Sequence, residues 1–94
     1  MTTERVDSDL AGHPGELLID ELAERKMSLS ELARQMGRPV QAISEIAHGK
    51  KRITAETALQ LETVLGIKAY LWTGLQSDYE LTIARQRQKQ RSSA

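Results

Sequence analysis

Leu17, Leu18, Leu22 and Ala23 fall on one face of a segment opened by Pro14, a residue suited to a first helical turn, which predicts a first helix over about 14–26. Ser28 with Glu31 three residues later forms a capping box, and Leu32, Ala33 and Met36 continue as an apolar stripe to Gly37, giving a short helix over 28–36. Pro39 biases Arg38 away from helical backbone while its own fixed φ suits a new start, so a third helix is expected over about 39–47, stopping at Gly49. Thr54 is the next N-cap candidate, and Ala58, Leu61, Val64 and Leu65 place a fourth helix at 55–65. From Ala69, Trp72, Leu75, Tyr79 and Ile83 repeat at near-helical spacing until the pattern dissolves into RQRQKQRSSA. Residues 1–12 are polar and without period. The division is a loose arm (1–12), one domain (13–85) and a basic tail (86–94) read as disordered.

Composition agrees with an all-α class. Ninety-four residues support one core, and 3% aromatic residues with no Phe leave that core to Leu, Ile, Val, Ala and Met. The absence of cysteine excludes disulfides and thiolate metal sites, and makes the cytoplasm the default location. The N-terminus lacks the basic start and apolar run of a signal peptide, and no stretch approaches a membrane span. His13 and His48 are far apart and without further ligands, so neither a metal nor another cofactor is expected. His48 suits a helix end that tolerates left-handed backbone beside Gly49. No nucleophile motif, paired carboxylates or phosphate-cradling glycine loop argues for an enzyme.

Zero net charge and a pI near 6.7 would argue against a nucleic-acid partner, but the average conceals segregation. Residues 1–37 carry −4, 38–54 carry +3, 55–81 carry −3 and 82–94 carry +4. The first positive patch coincides with a distinctive pair of elements: two short helices joined by a tight glycine turn, the plan of a helix-turn-helix over about 28–47. If Ile43, Ile46 and Ala47 are the buried side of the third helix, then Val40, Gln41, Ser44 and Glu45 face away from the core. Gln can bond an adenine edge and Val can cover a thymine methyl, although a polar helix face with one stray Val is the plainer alternative. Lys50, Lys51 and Arg52 follow at once, with several free amides expected beside them, and there phosphates would dock. Glu45 admits three readings: a base contact to cytosine, a partner for Arg38, His48 or Lys50, or repulsion of DNA.

The blocks HPGELL, LSELARQMG, AISEIAHGKKRITAETALQLETVLG and YLWTGLQSDYEL, in this order and spacing over about residues 13–85, resemble the HigA-type antitoxins of the lambda-repressor/Cro-like superfamily. That resemblance implies a five-helix fold, a homodimer on palindromic double-stranded operator DNA, and a small RelE-like ribonuclease toxin that the antitoxin neutralises. Carried over by position, it implies base reading by Val40, Gln41, Ser44 and Glu45, and phosphate contacts at Ser28, Arg38, Pro39, Lys50, Lys51 and Arg52. Leu29 where a polar residue usually opens the second helix, Arg38-Pro39 in place of a Ser or Thr cap, and the acid Glu45 depart from the common pattern. Each departure weakens a phosphate contact. Leu71, Trp72, Leu75 and Tyr79 form either plain core or, with help from the resemblance, the dimer seam. The alternatives to a self-repressing antitoxin are a protein-interaction module with weak DNA binding and a stand-alone or phage-type regulator.

Overall fold

The computed structural model describes residues 12–93. Among these the chain forms five helices and no strand: α1 (Pro14–Arg25), α2 (Leu29–Met36), α3 (Val40–Ala47), α4 (Ala55–Leu65) and α5 (Ala69–Ser93). All but Gly12 of the expected N-terminal arm lies outside the described residues.

Local chemistry sets the helix ends. The hydroxyls of Ser28 and Thr54 accept from the amides of Glu31 and Thr57, satisfying a donor that the first turn leaves unpaired. The box at Ser28 is half formed, because the Glu31 carboxylate accepts from Arg34 and Gln35 instead of reaching back. Gly37 closes α2 at φ +68, with Arg38 N donating to Ala33 O, and this left-handed residue lets the chain restart as α3 three residues later. Lys26 closes α1 in the same conformation without being glycine. His48 does not take the left-handed backbone expected of it; its φ is −96, and Gly49 carries the positive φ.

α1 starts on a device the apolar pattern does not announce. His13 is its N-cap: Nδ1 accepts from Gly15 N at 3.0 Å, and the buried ring meets Tyr79 of α5 edge-on. Gly15 lies so near the end of α3 that a Cβ would come within 2.3 Å of Ile46 O. The HPG run is therefore a junction of α1, α3 and α5.

The core draws on every helix: Leu18 and Leu22, Leu32, Ala33 and Met36, Ile43, Ile46 and Ala47, Ala58, Leu61 and Leu65, and Trp72, with Ile53 from the loop before α4. α3 packs on α1 and α2, and α5 packs on α4 and α1. Three expectations are corrected. Ala23 is exposed, leaving Leu18 and Leu22 to anchor α1. Trp72 is 0% exposed within the single chain, because α5 turns its ring into the core; Trp72 cannot be a seam residue. The basic segment 86–94, expected as a disordered tail, is helical through Ser93 as the last turns of α5.

Candidate nucleic-acid interface

α3 presents the face its sequence predicts. Ile43, Ile46 and Ala47 are buried, Val40 is 47% exposed, Gln41 is exposed, and Ser44 and Glu45 are half-buried. An aliphatic side chain this exposed, beside an amide at the start of a helix, is suited to base edges: methyl contact and bidentate hydrogen bonding. Pro39 caps α3 without a side-chain bond; the amides of Ala42 and Ile43 donate to its carbonyl, and those of Val40 and Gln41 meet no side chain among the described residues.

Polar contacts across this face are specific. Glu45 pairs with Lys51 (Nζ to Oε1, 3.7 Å) rather than with Arg38, His48 or Lys50, and accepts from Gln41 Nε2 at 3.4 Å. The latter bond is long, and it engages one of the two N–H groups of Gln41, leaving its carbonyl and a second donor for a base. His48 Nδ1 sits 2.8 Å from Ser44 O, so it supports its own helix end. Arg38 donates from Nη1 to Thr57 Oγ1 and Gln60 Oε1, both at 3.1 Å, which ties the turn before α3 to α4. Ser28 remains exposed at the start of α2.

The 49–54 loop is more constrained than expected. Its early amides are not free: those of Gly49, Lys50 and Lys51 donate to carbonyls of α3. Ile53 N donates to Gln76 Oε1 (2.8 Å), Gln76 Nε2 donates to Glu80 Oε2 (3.0 Å), and Glu80 accepts from Arg52 Nε (2.7 Å). The hydrogen bond from Arg52 holds the Glu80 carboxyl below its ordinary range, and Glu80 in turn raises Arg52. On α2, bonds from Gln35 and Arg34 lower Glu31 similarly. Lys50 forms no ion pair among the described residues.

Sequence reasoning missed Gln76, Glu80, His13 and the Thr57–Gln60 pair. One signal was available: Gln76 occupies a core position of α5, four residues from Trp72, and is 5% exposed. A polar residue on a buried stripe calls for hydrogen-bond partners, here the loop amide and Glu80. Among the described residues no group of acidic or histidine side chains could hold a metal ion, and no helix is long and apolar enough to cross a membrane.

Residues 18–72 match the helix-turn-helix family model. The uncharacterized HTH-type transcriptional regulator YddM of Escherichia coli K12 is 34% identical over 80% of this chain and 82% of its own length. An addiction-module antidote protein of the HigA family from Coxiella burnetii superposes with a TM-score of 0.78 at 35% identity, over 84% of this chain and 87% of that one. The Pseudomonas aeruginosa antitoxin HigA, solved with the higBA promoter, superposes with a TM-score of 0.79 at 32% identity, over 84% and 87% of the two chains. With five helices among the described residues in a lambda-repressor-like arrangement, the chain belongs to the XRE-type helix-turn-helix family, and its structural neighbours are HigA antitoxins and addiction-module antidotes.

Proposed function

We propose that this protein is the antitoxin of a HigBA-type module, which binds a palindromic operator as a homodimer, represses its own operon and neutralises a RelE-like ribonuclease. The observation that carries the DNA half is the solvent-facing set Val40, Gln41, Ser44 and Glu45 on α3, flanked by Lys50 and Lys51. Likeness to a HigA antitoxin solved with its promoter supports the same reading. Base contacts are assigned to Val40, Gln41 and Ser44, with Glu45 restraining Gln41 and Lys51, and phosphate contacts to Ser28, the amides after Pro39, Lys50, Lys51 and Arg52, with Arg38 bracing the turn. For the dimer, Trp72 fixes α5 on the core, so that Leu71, 42% exposed, and half-buried Leu75 offer an apolar strip to a second copy. Tyr79 is better employed against His13.

Co-expression with the adjacent gene, followed by co-purification and a promoter gel shift, tests both halves. A stable complex with a small basic partner and a shift of the promoter are expected. Absence of both would contradict the proposal. A second reading, an interaction module with weak DNA binding, is favoured by the acids Glu45 and Glu80 engaging Lys51 and Arg52; it predicts the complex without the shift.

A further inference from the structure

α5 continues beyond its apolar stripe. From Ala84 to Ser92 its side chains are exposed except for half-buried Gln86, so the core does not explain this extension. Its four cations alternate with other residues, and at about 100° per residue they divide by face: Arg85 and Lys89 to one side, Arg87 and Arg91 to the other. Arg87 lines a cleft of about 580 Å³ whose opposite wall is the 49–52 loop with Lys50, Lys51 and Arg52. Arg91 lies beside Arg87 and Gln90 at the end of that strip. The acid lining this cleft is Glu80, already engaged by Arg52. Arg87, Arg91 and Lys50 form no ion pair among the described residues.

Cations near a helix C-terminus complement the macrodipole on any face, so the dipole does not account for Arg87 standing across a cleft from three further cations. Lys51 and Arg52 are each held by an acid, Glu45 and Glu80, which leaves Lys50 and Arg87 without an ion pair among the described residues. Like charges at one open cleft repel unless an anion lies between or above them. The wall is also continuous with the loop assigned to phosphates. We propose that Arg87 and Arg91 of α5, together with Lys50, form a second phosphate-binding surface for duplex DNA flanking the base-read half-site. This rests on the operator-binding reading above and adds a DNA contact outside the helix-turn-helix.

The test compares salt dependence of binding to two duplexes from the protein's own promoter, one ending at the inverted repeat and one extending a helical turn beyond it. On the longer duplex, the Arg87→Gln/Arg91→Gln variant should lose affinity and its log–log salt slope should fall by about 0.9 per lost contact. On the trimmed duplex it should match the wild type, and Arg85→Gln, a charge loss on the other face, should leave both unchanged. Equal loss for Arg85→Gln, or an unchanged slope for the double variant while Lys51→Gln lowers it, would overturn the second surface and leave the operator reading standing. Removal of residues 1–11 that tightens binding only while Arg87 is present would assign the cleft to the chain's own acidic N-terminus, overturning it differently. Failure of the wild type to bind either duplex would instead remove the operator reading, and this surface with it.

Discussion

Glu45 bears most directly on how α3 meets DNA. Its carboxylate holds Lys51 at 3.7 Å and Gln41 at 3.4 Å, so one acid restrains both the cation proposed for phosphates and the amide proposed for bases. Since the electrostatic part of the affinity is common to all sequences, such an acid lowers attraction to each of them by a similar factor. Glu45→Gln should therefore strengthen binding to promoter and unrelated duplexes alike by up to about fivefold, the order of one exposed ion pair. A gel-shift titration showing a changed base preference instead would make Glu45 a reader of cytosine. Gly15 is constrained by space rather than by charge. A methyl group there meets the backbone carbonyls of Ile46 and Ala47, which cannot rotate away as a side chain could. Gly15→Ala should lower stability by roughly 1–3 kcal/mol, as overpacking against fixed atoms does, seen as a reduced urea midpoint. An unchanged midpoint would show that α1 can shift off α3 freely.

The two elements of the helix-turn-helix are positioned by what lies behind them. Arg38 binds the turn to α4, and Gln76 with Glu80 binds the phosphate-side loop to α5. Glu80 links this strap to pH. Its carboxyl is depressed in the folded state from an ordinary value of 4.5, so the contribution to stability is complete above that value and is lost as pH falls through the native one. The difference in urea midpoint between wild type and Glu80→Gln should hold from neutrality down to about pH 5 and shrink below the ordinary carboxylate range. A difference that persists in acid would mean that Glu80 acts without its charge. Ser28, Gly37, Thr54 and Gly66 were readable from the sequence because a cap depends on a few neighbouring residues. The place of Trp72 was not, since an amphipathic stripe does not say whether its large residues face the chain's own core or a second chain. The helical course of residues 86–93 was likewise hidden: alternating Arg and Gln leave no apolar period, yet straight-chain residues are good helix formers extending an existing helix.

Over the whole molecule, a net charge of zero results from basic patches at the recognition loop and the end of α5, balanced by acidic stretches elsewhere. On the operator-binding proposal, that segregation is what would orient on DNA a chain whose average charge suggests no affinity for it. On the proposed homodimer reading, dimer contact and stability separate in the same way across α5. Leu71→Glu should abolish the dimer in sedimentation at micromolar concentration while leaving the fold intact, whereas Trp72→Ala should cost about 3–5 kcal/mol of stability through the cavity it opens. A Leu71→Glu chain that remains dimeric would remove the strip from the seam. The central claim, that the exposed face of α3 reads an operator, is tested most directly by the affinity of Gln41→Ala for promoter and unrelated duplexes at one salt concentration. A loss of roughly 1–3 kcal/mol is expected on the promoter alone, the worth of a bidentate base contact. Equal affinities of wild type and variant on both duplexes would contradict it.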